Sequence, residues 1–352
     1  MKIWIDALTP KQTLFFNVIK GWLKGDGHEV FSTTRAGYGG HELGSIINYY
    51  LEVIGKHGLT PFEKLIESSR RTGALSKIVY DGNFDLALSF SSPECARVSY
   101  GLGIPHLNFS DSPHAVHASR LTVPLSTLLF TPWIIPKNVW TQYGIKARDI
   151  IQYKAIDASI WLRNWHFRDM KKELGLENRL TITIRMHEEY ASYLLGESSN
   201  VLNFVREIVN EYAGKANIIM LSRYQNKYRN LKSEFRDSIT LLDLAVDGPS
   251  LIKSSDVFVG MGGTMTHEAA LLGVPAISAY PGKATLIEEF LIRKKLIFRP
   301  DDVGNFMKTL SSVCYDEDWR IKYRARSHKL WESMEDPREK ILSKIEMRGK
   351  KV

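Results

Sequence analysis

The chain has 352 residues, 44% hydrophobic and 24% charged, a globular balance that excludes disordered, collagen-like and disulfide-scaffold classes. At roughly 150 residues per domain this length points to two domains, and Cys95 and Cys314, far apart and outside any CxxC, indicate neither an oxidising compartment nor a zinc site. Net charge is +8, and eleven Lys or Arg against five Asp or Glu from Trp319 onward place most of it in the terminal segment.

Taken in chain order, short β-rich runs alternate with amphipathic stretches. Lys2 to Asp6 reads as a strand. Gln12 to Lys24 carries Leu14, Phe15, Val18, Ile19, Trp22 and Leu23 at helical spacing and stops at Gly25-Asp26-Gly27. With the charge of Asp6 inside the first apolar stretch, no signal peptide is expected. Strands are expected at 29–33 and 50–54, a helix at 61–80, a strand at 84–90, and a short helix after Pro93. A strand at 104–109, a helix near 115–125 and a strand at 127–131 follow. The longest apolar-looking run, 121–136, holds three prolines and falls short of the roughly 18 apolar residues of a membrane span. A cytoplasmic protein is expected.

The order restarts after Lys154. Strands are predicted at 179–185, 216–221, 238–242, 256–260, 275–279 and 296–298, with a helix at 200–212 and others between the strands. Strands separated by helices imply right-handed βαβ units and parallel sheets. The expectation is two doubly wound α/β domains, 1–155 and 166–318, joined by 154–165, with the ligand at the carboxyl ends of the strands in the cleft between them. The segment 319–352 reads as one long basic helical pattern. It is either a solvated helix or a face for anionic lipid, with nucleic acid the lesser partner.

The most informative stretch runs from Asp256 to Pro275. A buried strand ends in Gly260-Met261-Gly262-Gly263, and a helix opens with Thr264. Glycines let a phosphate approach the backbone, and the free amides and dipole of a helix start favour its charge. Thr264 adds a hydroxyl, and Glu268, four residues on, places a carboxylate on the same helical face for ribose hydroxyls. The spacing is neither GxGxxG nor a P-loop. The alternative is that the glycines only permit close strand–helix packing.

The Gly-Gly-Thr, Glu268 and the Leu-Leu-Gly-Val-Pro-Ala-Ile-Ser run resemble the donor-nucleotide segment of the GT-B superfamily, which includes nucleotide-sugar glycosyltransferases and UDP-N-acetylglucosamine 2-epimerases. Lys2-Ile3-Trp4-Ile5-Asp6, Ser92 to Arg97 and Pro281-Gly282-Lys283 more closely resemble the family called domain of unknown function 354. The resemblance implies two Rossmann-like domains with a nucleotide sugar in the cleft and a C-terminal helix crossing back to the first domain. Gly262, Gly263 and Thr264 would then hold the diphosphate and Glu268 the ribose. Arg185, at the end of its strand, would clamp phosphate, or else pair with Glu188 or Glu189. Arg223 is a further base or phosphate contact, and Lys283 reaches phosphate or sugar unless it is simply solvated.

In the first domain the dense polar cluster is Asn108 to His117. Asp111 or His114 there would take the proton of an acceptor hydroxyl. The structural alternative is helix capping by Asp111 or Ser112 with Pro113 in the first turn. His114 and His117 stand three apart but lack a third ligand, so no metal is expected. Asp6, before Thr9-Pro10-Lys11-Gln12, is expected to serve turn formation and helix capping. The epimerases' three first-domain carboxylates fall here on Ser91 or Ser92, on Asp111 and on the His117 stretch, which weakens epimerisation.

The function expected from these features is a GT-B-type glycosyltransferase. It would use a nucleotide sugar, a UDP-sugar first, with a glycan or lipid acceptor and no tightly bound cofactor. The alternatives are a 2-epimerase-like enzyme and a non-catalytic nucleotide-sugar or nucleic-acid binding protein.

Overall fold

The computed structural model describes residues 1–186, 199–222, 234–242 and 245–349. They form two units, Met1–Trp161 with Met334–Val352, and Leu162–Ser333.

The first unit is built on a parallel sheet of β1 (Lys2–Asp6), β2 (Glu29–Ala36), β3 (Glu52–Lys56), β4 (Leu86–Phe90), β5 (His106–Phe109), β6 (Leu128–Pro132) and β7 (Ile150–Tyr153). Their spatial order is β3-β2-β1-β4-β5-β6-β7. The chain winds outward one way from β1 and then the other way from β4, so β1/β4 is the topological switch point of this sheet. The helix Pro10–Gly25 starts where Thr9 accepts from the Gln12 amide and buries Leu14, Phe15, Phe16, Ile19 and Leu23. Phe15 and Phe16 pack edge-on against Phe109 at 5.0 and 5.8 Å, and Phe109 stacks on Phe130 at 4.8 Å. Each such ring contributes roughly 1.5–3 kcal/mol by burial. The carboxyl ends of β4 and β5 are thereby fixed against the helix that carries Lys11.

The second unit holds β8 (Leu180–Arg185), β9 (Ala216–Leu221), β10 (Thr240–Leu242), β11 (Val257–Gly260), β12 (Ala276–Ser278) and β13 (Ile297–Phe298), all parallel, in the order β10-β9-β8-β11-β12-β13. Here the switch point is β8/β11. Ile182, Ile184, Val257, Val259 and Ile277 form the apolar interior with Ile208 and Val209 of the helix Ser199–Tyr212. Strands buried on both faces need such continuous apolar runs.

Two features differ from the sequence expectation. β7 and the helix Gly40–Ile46 are additional elements. The single terminal helix is two, Glu317–Ser333 and Arg338–Gly349, because Pro337 has no amide to continue the first. The break also divides them between units: the first lies in the second unit, where the Tyr323 hydroxyl donates to the Leu296 carbonyl at 2.6 Å. Only the second returns to the first unit, entered where Glu335 accepts from the Lys154 amide at 2.8 Å. Among the described residues, no helix is long and apolar enough to cross a membrane.

Candidate functional site

The carboxyl edge of the second sheet gathers most of the sequence-selected residues. Arg185 ends β8 in register with Gly260, which ends β11, and the Met261 amide donates to the Arg185 carbonyl at 3.0 Å. Beyond β11 the backbone turns through Gly262 (φ +94°) and Gly263 (φ +93°), values that only glycine adopts without strain. Gly263 is exposed, and a Cβ there would meet nothing within 4 Å. It immediately precedes the helix Thr264–Leu271, whose first turn has neither a side-chain cap nor an acidic residue. Several other helices start on a capping side chain, as at Thr60, Ser92, Asp247, Thr285 and Asp302, whereas Gly40–Ile46 and Val116–Thr122 do not. Thr264 is half-buried beside this turn, and Glu268, one turn further, is buried at 2% exposure.

Lys283 belongs to the same edge. A Cβ on Gly262 would lie 2.8 Å from the Tyr280 ring, and one on Gly282 would lie 2.7 Å from the Tyr280 hydroxyl. The two glycine turns therefore close on opposite parts of one tyrosine. Arg299, after β13, donates to the carbonyls of Tyr280 (3.0 Å) and Gly282, and pairs with Glu288 at 3.8 Å. Lys283 is exposed on the loop so pinned. Sequence reading missed Arg299 and Tyr280 because neither stands in a motif; both act through backbone contacts. The Arg185 guanidinium donates to the carbonyls of Met186 (3.2 Å) and Leu221 (3.4 Å). Arg223, Glu188 and Glu189 lie outside the described residues.

The corresponding point of the first sheet is filled by the protein itself. Asp6, ending β1, accepts from both terminal nitrogens of Arg71 (2.5 and 3.0 Å), from Ser92 at 2.6 Å and from Thr33 at 2.7 Å. Arg71 enters from the helix Pro61–Gly82, also reaches the carbonyls of Ile54 and Thr34, and lies 3.9 Å from Glu94. All three charged groups are at most 3% exposed. Burial pushes the Asp6 carboxyl up, but the charge and hydrogen bonds of Arg71 prevail and hold it below the usual carboxylate range. Asp6 is thus neither a turn former nor a cap. Thr9 does the capping, while Asp6 plugs the β1/β4 crevice with an ion pair.

Asp111 and His114 sit further along the first sheet's edge. Neither Asp111 nor Ser112 caps a helix, for the helix Val116–Thr122 begins after Ala115 without any side-chain cap. Instead Asp111 pairs with Lys11 at 2.5 Å and accepts from the Ser112 hydroxyl at 2.9 Å. The same Lys11 ammonium lies 2.8 Å from Asp157 and 4.2 Å over the Phe90 ring. Burial pulls the Lys11 pKa down, and the two carboxylates more than restore it. His114 is exposed by area; the protein around its ring still depresses its pKa, with Lys11 reinforcing and Asp111 opposing. Sequence reading did not single out Lys11 or Asp157. Position held the one usable signal, since Lys11 stands in the first turn after β1 and so at the sheet's carboxyl edge.

Known proteins share this architecture. The chain is 27% identical over 312 residues to an uncharacterised protein of Methanocaldococcus jannaschii, covering 86% of this chain and 89% of that one. The structure of a UDP-GlcNAc 2-epimerase from Neisseria meningitidis, bound to UDP-GlcNAc, superposes with a TM-score of 0.76 at 15% identity, over 99% of this chain and 100% of that one. Spinosyn forosaminyltransferase SpnP superposes with a TM-score of 0.66 at 13% identity, over 99% and 100%. At these identities the likeness establishes the fold: two Rossmann-like parallel-sheet domains of the GT-B kind. Over residues 1–342 the chain matches the model of the protein family of unknown function DUF354, and it belongs to that family.

Proposed function

We propose that the protein is a nucleotide-sugar-dependent glycosyltransferase of GT-B type that binds its donor, a UDP-sugar, on the second unit. One observation carries this reading: the β8/β11 switch point ends in a two-glycine turn with Gly263 exposed and an uncapped helix start, with Arg185 on the adjoining strand. Ligands of open parallel sheets bind at such a point, and helix amides and an arginine suit a diphosphate. The first sheet's switch point offers no comparable room, because Asp6 and Arg71 fill it.

In this reading Gly262, Gly263 and Thr264 hold the diphosphate, Glu268 the ribose, and Arg185, Arg223 and Lys283 supply positive charge. Asp111 takes the proton of an acceptor hydroxyl, with His114 beside it. The acceptor O–H bond breaks as its oxygen bonds to the sugar, and the sugar–diphosphate bond breaks with its electron pair leaving on the diphosphate. The glycan or lipid acceptor is matched by a terminal basic segment that would favour an anionic membrane surface.

A second reading, 2-epimerisation, draws on the fold shared with the Neisseria meningitidis enzyme. Epimerisation needs several acid and base groups. At this edge the Ser92 hydroxyl is committed to Asp6 and that of Ser91 to Ser110 at 2.9 Å. Incubation with UDP-GlcNAc alone separates the readings. The proposed transferase leaves the donor largely unchanged without an acceptor and transfers labelled sugar when a glycan or lipid acceptor is added. Accumulation of the C2 epimer would favour the second reading, and failure to bind any UDP-, GDP-, ADP- or dTDP-sugar would overturn both.

A further inference from the structure

The carboxyl edge of the first sheet holds a charge cluster of which the proposed reaction uses only one member. Lys11 comes from the helix Pro10–Gly25, Asp111 follows β5, Tyr153 ends β7, and Asp157 opens the helix Asp157–Leu162. The ammonium is 2.5 Å from Asp111 and 2.8 Å from Asp157. The Tyr153 hydroxyl donates to the other oxygen of Asp157. Side-chain exposure falls from 16% at Lys11 and 11% at Asp111 to 2% at Asp157, so water screens the inner pair hardly at all.

The charge count follows directly. One ammonium faces two carboxylates, and with both ionised the cluster carries one surplus negative charge in a poorly hydrated place. Such a set gains by taking up one proton, and the Lys11–Asp157 pair then remains as a neutral unit. Asp111, the more exposed carboxylate, is where that proton arrives from outside. The groups that face Asp111 include Lys11, Asp157 behind it, the neutral Tyr153 phenol, His114 and the Ser112 hydroxyl.

We propose that Lys11 and Asp157 are positioning residues that set the proton affinity of Asp111. Lys11 holds Asp111 ionised and aimed, and Asp157 takes part of the ammonium's charge so that Asp111 still accepts a proton. The proposal rests on Asp111 being the base of the reaction above. At Asp157 burial raises the carboxyl, Lys11 opposes, and the nearby Asp111 raises it further, so the two carboxylates compete for the same proton.

The test needs no sugar nucleotide, so its failure is distinct from failure of the glycosyltransferase reading. Carboxyl carbons of ¹³C-aspartate-labelled protein are titrated by NMR, with Asp111 assigned from its absence in Asp111→Asn. Lys11→Met should raise the Asp111 midpoint by at least about one pH unit, as expected when an opposite charge within 4 Å is removed. Asp157→Asn, nearly isosteric, should lower it, because the ammonium then serves Asp111 alone. Opposite shifts in two folded variants are what a merely structural role would not produce. An Asp111 midpoint that stays put in Asp157→Asn, or moves the same way in both variants, overturns the proposal. Should Lys11→Met fail to fold, the sign of the shift in Asp157→Asn decides alone.

Discussion

At the scale of single residues, the two glycines of the β11 turn have different reasons to be glycine. Both hold φ near +93°, so alanine at either costs about 1–3 kcal/mol in backbone strain. A Cβ on Gly262 would also lie 2.8 Å from the Tyr280 ring, which adds an overpacking cost of about 1–3 kcal/mol. Gly262→Ala should therefore lower the thermal midpoint more than Gly263→Ala; equal midpoints would show that Tyr280 yields freely. Gly263→Ala should instead act on the ligand, weakening UDP binding at least tenfold in calorimetry, because its methyl group enters the space assigned to phosphate. His106 gives a prediction in pH. It is buried in β5 with Nε2 2.9 Å from the Ser89 hydroxyl, and burial depresses its pKa to about 3, Asp6 opposing weakly. Below the ordinary value near 6.5 the unfolded chain binds a proton that the folded chain refuses. Stability is thus lost as pH falls from about 6.5 towards 3, by up to about 1.4 kcal/mol per unit. Urea unfolding at pH 7 and pH 5 should show a loss about 2 kcal/mol larger in the wild type than in His106→Gln, and an equal loss in both would remove His106 from the acid response.

At the scale of elements, the Arg71–Asp6 pair ties the helix Pro61–Gly82 to the end of β1. Arg71→Met leaves Asp6 buried and unpaired and should cost about 3–5 kcal/mol. Adding Asp6→Asn should recover part of that loss, whereas additivity within about 0.5 kcal/mol would mean that the two do not act as a unit. This pair was illegible in the sequence, where nothing links Asp6 to an arginine two strands away. The helix itself was legible, since Thr60, Pro61 and Glu63 form a capping box ahead of the apolar period. β7 escaped because Ile150-Ile151-Gln152-Tyr153 is four residues long and shows no sustained alternation. Gly40–Ile46 escaped because glycines at both 40 and 44 argue against a helix that only burial against its neighbours sustains.

At the scale of the molecule, the alternation of strands and helices was enough to expect two parallel sheets, and glycines after an apolar strand were enough to mark the β11 turn. Which strands flank that turn was not readable, because switch points depend on spatial order. The order β8-β11 brings Arg185 to the glycines, and β1-β4 lets Arg71 close the other crevice. For the same reason Lys11, Asp111 and Asp157 come together only once β5 and β7 take their places beside the first helix. A donor at 100 times its dissociation constant should stabilise the protein by about 2.7 kcal/mol, visible as a raised thermal midpoint. The most direct measurement is a UDP titration followed through backbone amide resonances. Saturable shifts at Gly262, Gly263 and Thr264, larger than those elsewhere, are the predicted result. Saturable UDP binding that leaves those three amides unmoved would contradict the assignment of the β8/β11 turn as the diphosphate site.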